Sequence, residues 1–168
     1  MITAGQLIRQ FGMIPHPEGG FYARTYTSAE IIPQAVLPAR FGGDRFFSTA
    51  IYYLLQAGDF SAFHRISSDE GWHFYTGQAL WLYVIHPGGE LNMIRMGDQV
   101  EKGERFQYIV PAGCWFAAEP APGSAFSFLG CTVAPGFDFA DFEQGQRSRL
   151  MDTYPEQAGL VRRLTRTG

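Results

Sequence analysis

His64 and Glu70 are the residues in this chain whose types and spacing point most directly to chemistry. They stand in Gly58-Asp59-Phe60-Ser61-Ala62-Phe63-His64-Arg65-Ile66-Ser67-Ser68-Asp69-Glu70-Gly71-Trp72-His73-Phe74-Tyr75-Thr76-Gly77. An imidazole and a carboxylate meeting in one pocket suit either metal binding or general acid–base catalysis. A second group lies upstream, in Pro15-His16-Pro17-Glu18-Gly19-Gly20. There His16 and Glu18 can serve a ligand, the prolines restrict the backbone, and the glycine pair permits close approach of another element. Arg24, a few residues on, can bind a carboxylate or phosphate through its guanidinium fork. Trp72 and Phe116 offer aromatic walls. Nucleophilic catalysis is poorly served: no serine sits in a G-x-S-x-G elbow, and neither Cys114 nor Cys131 has an obvious histidine neighbour in the sequence. His86, ahead of Pro87-Gly88-Gly89, reads as an exposed turn residue. Lys102 is the only lysine and lies in an apparent turn, which disfavours Schiff-base chemistry.

The elements that must position these groups are short and mostly extended. Thr3 to Phe11 reads as a helix with Thr3 as its cap and Gly12 as its stop. Residues 19–27 alternate as a strand, with Tyr22, Arg24 and Tyr26 on one face. Residues 31–44 read as loop. Strand-like runs follow at 46–55, 61–66, 72–75, 79–85, 90–96, 106–110, 115–118 and 125–133, separated by glycine and proline turns. Many short strands without helical crossovers indicate an antiparallel sandwich or barrel. Within it, Ala62, His64 and Ile66 share one face of their strand. Glu70, Trp72 and Phe74 share one face of theirs, so that His64 and Glu70 are expected to meet from adjacent strands. The tail at 143–151 and 155–164 reads as helical.

Composition sets outer bounds. With 168 residues, 46% hydrophobic and 17% charged, the chain reads as one globular domain over 1–168. A net charge of −3 argues against a nucleic-acid partner held through phosphates. There is no apolar run of membrane-spanning length and no signal peptide at the start. With two isolated cysteines, these features lead to the expectation of a cytoplasmic protein with reduced thiols and no membrane partner.

The spacing of the first segment matches G-x5-H-x-H-x3-E-x6-G, the first motif of the cupins, with Ile66 in place of the second histidine. Pro111-Ala112-Gly113-Cys114-Trp115-Phe116 matches P-x-G-x2-H with Phe116 in place of the histidine, and seven residues rather than five separate Gly103 from Pro111. Together with His16–Tyr22, Phe63–Tyr75, Val110–Ala118 and Pro135–Glu143, these segments resemble the cupin-5 family, a branch of unknown function. The resemblance implies an all-β double-stranded β-helix, the RmlC-like jelly roll, with a short N-terminal helix and C-terminal helices, and a homodimer.

From the cupin motif only His64 and Glu70 carry over. Because Ile66 and Phe116 have no lone pair to donate, no metal is expected. The expected function is that of a small-molecule pocket protein, a metal-independent isomerase or epimerase acting on a sugar-like or nucleotide-like compound. His64 is then the base and Glu70 its orienting partner or a hydrogen-bond acceptor for substrate, with His16, Arg24, Trp72 and Phe116 contacting the ligand. The alternatives are a non-catalytic metabolite-binding cupin and an enzyme holding a divalent metal on a degenerate ligand set.

Overall fold

The computed structural model describes residues 2–166. The chain opens on helix α1 (Ala4–Gln10), closed by a reciprocal cap. The Gln6 amide donates to Thr3 Oγ1 at 3.3 Å and the Thr3 amide to Gln6 Oε1 at 2.9 Å, so two of the free helix-end donors are satisfied. Leu7 is buried, and Ala4 and Leu7 pack with Leu54 and Phe128 on the outer face of a sheet. We expect Thr3→Ala to lower stability by about 1 kcal/mol in chemical denaturation, the usual value of such a cap.

Among the described residues, thirteen strands and two further α-helices follow. They are β1 (Ile14–Pro15), β2 (Phe21–Thr27), β3 (Ile31–Ile32), β4 (Arg45–Phe46), β5 (Thr49–Gln56), β6 (Ser61–Arg65), β7 (Asp69–Gly77), β8 (Leu80–Ile85), β9 (Leu91–Met96), β10 (Gln107–Val110), β11 (Trp115–Pro120), β12 (Phe126–Ala134), β13 (Glu143–Gln144), α2 (Arg147–Thr153) and α3 (Ala158–Arg163). One sheet runs β1-β2-β5-β12-β7-β10 and the other β13-β6-β11-β8-β9, while β3 and β4 form a separate ribbon. All the paired strands within them are antiparallel. The central pairings nest: β5 with β12, β6 with β11, β7 with β10, β8 with β9. That is the pattern of one long hairpin folded over on itself, and it makes the mostly-β chain a jelly roll. Among the described residues, no helix is long and apolar enough to cross a membrane.

The main core fills the space between the two sheets. Tyr53, Trp72 and Leu129 come from one side, Leu82, Val84 and Phe116 from the other. The strand β6 is covered on both faces. Ile66, just beyond it, joins the inner core, while Phe63 points outward beneath Leu150, Val161 and Leu164 of the C-terminal helices.

The tail departs from the sequence expectation at its start. Glu143 and Gln144 form β13 rather than a helical turn, pairing with Arg65 and His64. Arg65 Nε donates to Glu143 Oε2 at 2.7 Å, and the Gly145 amide donates to the Phe63 carbonyl at 2.7 Å. Helix begins only at Arg147 because these contacts hold the preceding segment extended. Residues 31–44 are largely irregular, as expected, apart from the two residues of β3 and one turn of 3-10 helix at Gln34–Val36.

Candidate functional site

Between the sheets lies a cavity with a free volume of ≈ 50 Å³, lined by His16, Glu18, Arg24, His64 and Glu70 among its polar groups. Its apolar walls include Trp72, Val133, Phe137, Phe139 and Phe142. The strand periodicity explains how the groups converge. Tyr22 and Arg24 alternate with Phe21 and Ala23 on β2, so the first pair faces the cavity while the second packs beside α1. On β7 the same period puts Glu70 and Trp72 on the inner face. His64 and Glu70 do not come from adjacent strands, because β6 and β7 belong to different sheets. They approach across the sandwich instead.

His64 Nδ1 lies 2.8 Å from the Ala62 carbonyl and 3.0 Å from Glu18 Oε2. Both neighbours are acceptors, so Nδ1 carries a proton. In the neutral ring, Nε2 then holds the lone pair, and it has no hydrogen-bond partner among the described residues. Burial pulls the His64 pKa down, but the charge and hydrogen bond of Glu18, with help from Glu70, outweigh it and leave the pKa raised. The carboxylate beside the ring is therefore Glu18, and the orienting role expected of Glu70 falls to it. Among the described residues, Glu70 forms no ion pair with His64 within 4.0 Å. Burial instead pushes the Glu70 carboxyl up to about 7, against the lowering influence of His64. Glu70 thus holds or releases its proton near neutrality.

Glu18 is fixed by the loop that carries it. The Gly19 amide donates to the His16 carbonyl at 3.0 Å, and the Gly20 amide to Asp59 Oδ2 at 2.6 Å. The Glu18 carbonyl accepts from the Ala62 amide at 3.0 Å. Gly19 has φ +119°, and a Cβ there would sit 2.0 Å from the Phe60 carbonyl oxygen, so only glycine lets the loop lie this close to β6. His16 Nδ1 accepts from the Glu18 amide at 3.3 Å, which keeps that ring neutral. Its pKa is lowered by burial and by His64, with Glu18 opposing. His16 also lies edge-on to Tyr22 and Tyr53.

The other expected site residues divide. Arg24 and Trp72 line the cavity. Phe116 does not. It is 1% exposed and packs against the His64 ring, 4.1 Å between centroids, because it is the cross-strand partner of His64 on β11. Its position makes it a support for the imidazole and removes it from ligand contact. Ser61, Cys131 and the three phenylalanines of the 137–142 segment are lining residues that strand patterning does not single out. Burial and Glu70 raise the Cys131 pKa well above its ordinary value, so it stays a thiol. His86 is half-buried rather than exposed, with Nε2 2.9 Å from Asn92 Nδ2 and Nδ1 3.5 Å from Cys114 Sγ. Cys114 does have a histidine neighbour, brought to it by the β8–β9 turn, although burial raises the pKa of this thiol too.

A jelly roll whose aromatic-walled interior holds His64 and Glu70, the histidine and glutamate of the first cupin motif, has the architecture of the cupins. Within that class, the model of the Cupin_5 family (cupin superfamily, DUF985) matches residues 5–145, and the chain belongs to this family. A hypothetical protein from Leishmania major superposes with a TM-score of 0.90 at 31% identity, covering 99% of this chain and 100% of that one. Protein SO0799 from Shewanella oneidensis gives 0.88 at 38% identity, with complete coverage of both chains. The uncharacterized protein YML079W of Saccharomyces cerevisiae is 28% identical over a 165-residue alignment that covers 91% of this chain and 81% of the yeast protein.

The wider cupin fold implies a metal, and a catalytic metal usually takes about three protein ligands. Among the described residues, no group of three or more His, Cys, Asp or Glu side chains is placed to hold one. Ile66 lies in the apolar core and Phe116 behind His64, while His64 Nδ1 is already engaged by Ala62 and Glu18. The residues present do not fit such a group.

Proposed function

We propose that this cupin binds a small polar molecule and moves protons on it without a metal, as an isomerase or epimerase of a sugar-like or nucleotide-like compound. One observation carries the reading: His64 Nδ1 is shared between two acceptors, which aims chemistry at Nε2, in the same cavity as a carboxyl that titrates near neutrality. In the reaction, Nε2 takes a proton from carbon next to a carbonyl and the electron pair moves onto the carbonyl oxygen. Glu18 stabilises the imidazolium that forms. Protonated Glu70 then gives its proton to carbon as the electron pair returns from oxygen. The net result is a moved or inverted C–H bond, and proton exchange with solvent restores neutral His64 and protonated Glu70. The arrangement is general acid–base catalysis with the base oriented by a third group.

The test is solvent exchange. Incubated in D₂O with a panel of sugars, sugar phosphates and nucleotide sugars, the protein is expected to introduce carbon-bound deuterium into at least one of them, detected by mass spectrometry. His64→Asn should reduce that rate by about 10²–10⁴-fold, the typical contribution of a positioned acid or base, with the thermal transition retained. Because the reaction needs Glu70 in its protonated form, the rate should fall as pH rises through about 7, and Glu70→Gln should remove that limb. Exchange undiminished in the His64 variant would sink the proposal. Saturable binding with no exchange would identify a non-catalytic metabolite binder.

A further inference from the structure

Two buried side-chain atoms among the described residues have no hydrogen-bond partner: Glu18 Oε1 and Trp72 Nε1. Both side chains line the cavity, and they are only 1% and 2% exposed. A buried polar atom left unpaired is costly, and such groups normally have a partner in the working state. Their chemistry is complementary and one-directional: the carboxylate oxygen only accepts, and the indole N–H only donates. A ligand that satisfies both must present a donor to Glu18 and an acceptor to Trp72.

A third group sets the charge. Arg24 lines the same cavity but is exposed, and its side chain makes one hydrogen bond among the described residues, to Thr27 Oγ1 at 3.4 Å. No carboxylate pairs with it among the described ion pairs. The buried Glu18 oxygen calls for a donor rather than another negative group, and the one guanidinium lining the cavity among the described residues is that of exposed Arg24, so a ligand's negative charge belongs at the rim. Size points the same way. A free volume of ≈ 50 Å³ accepts roughly three or four waters' worth of ligand, so only a fragment of a few heavy atoms enters and the charged remainder stays at Arg24.

We infer that the ligand is a small hydroxylated anion: a hydroxyl or N–H donated to Glu18 Oε1, an oxygen accepting from Trp72 Nε1, and a carboxylate or phosphate held by Arg24. The inference rests on the proposed function only in taking this cavity as the working site. It does not require proton transfer.

The experiment is calorimetric titration of the full chain with four probes: D-glycerate, glycerol 3-phosphate, glycerol and propionate. Glycerate or glycerol 3-phosphate is expected to bind at least roughly tenfold tighter than uncharged glycerol or unhydroxylated propionate, the range for a hydrogen bond to a charged group. Which of the two anions wins separates a carboxylate from a phosphate ligand. Arg24→Ala should weaken the anions by a similar factor and leave glycerol unchanged, while Glu18→Gln and Trp72→Phe should weaken all hydroxylated probes. Because Arg24 is exposed, its variant tests the charge assignment even if Glu18→Gln fails to fold. Glycerol binding as tightly as the anions, propionate matching glycerate, or anion affinity indifferent to Arg24→Ala would each overturn the inference. So would binding of none of the probes, with water alone serving the two buried atoms. Anion binding without deuterium exchange keeps the ligand class and removes the catalysis. Exchange on an uncharged sugar, with no anion preference, does the reverse.

Discussion

Asp141→Ala is expected to cost about 3–5 kcal/mol in chemical denaturation, the range for removing one partner of a buried ion pair. Arg45 Nε and Nη2 each donate to an Asp141 carboxylate oxygen at 2.6 Å, and the two side chains are 4% and 5% exposed. Removing the carboxylate leaves a guanidinium with the Asp44 carbonyl as its remaining hydrogen-bond acceptor and the Phe41 ring at 5.6 Å. The pair also anchors the turn Phe139–Asp141, on either side of which Phe137 and Phe142 wall the cavity. The variant should therefore lose ligand affinity together with stability. A double replacement, Arg45→Met with Asp141→Leu, should recover much of the stability, since apolar substitutes for a buried pair are often neutral or better. If the single and double variants lose the same amount, the unpaired charge is not the cause.

The second large effect is a pH dependence that Glu70→Gln should flatten. Glu70 is buried and its carboxyl is raised from 4.5 to about 7. A group with a raised folded-state pKa contributes stability that is fully present below its unfolded value and is lost as pH rises through the folded one. The loss should therefore run from about pH 4.5 to just above 7. A shift of this size corresponds to roughly 3 kcal/mol. His64, also raised, adds to the decline in the same direction, while His16, lowered, contributes stability that is lost as pH falls below its ordinary range. Denaturation midpoints of the wild type and Glu70→Gln, measured from pH 4 to pH 9, check the sign. The wild type should lose ground on the variant as pH rises. A gap that stays constant with pH would show that Glu70 is not held neutral by burial.

Much of the fold was legible because its signals are local. A strand alternates with period two whatever lies beside it, so the runs from 46 to 133 and the shared inner face of Glu70, Trp72 and Phe74 follow from residue types alone. The cap of α1 needs only Thr3 and Gln6. His64 and Glu70 were identifiable because their spacing resembles a motif, and His16, Arg24 and Trp72 because their chemistry suits a ligand. All five line one cavity.

What the chain order does not encode locally is which sheet each strand joins. That choice sets β6 opposite β7 rather than beside it and brings the Glu18 loop onto the imidazole through Asp59 and Ala62. It slides Phe116 behind His64 instead of into the cavity and brings His86 to Cys114. It also pulls Glu143 and Gln144 out of a helical pattern onto the edge of β6. Each of these contacts joins residues far apart in sequence, whose encounter depends on the nesting of the long hairpin. The residue types determined that an imidazole and carboxylates would be buried together; only the strand pairing decided that Glu18 orients His64 and that Glu70 is left to hold a proton.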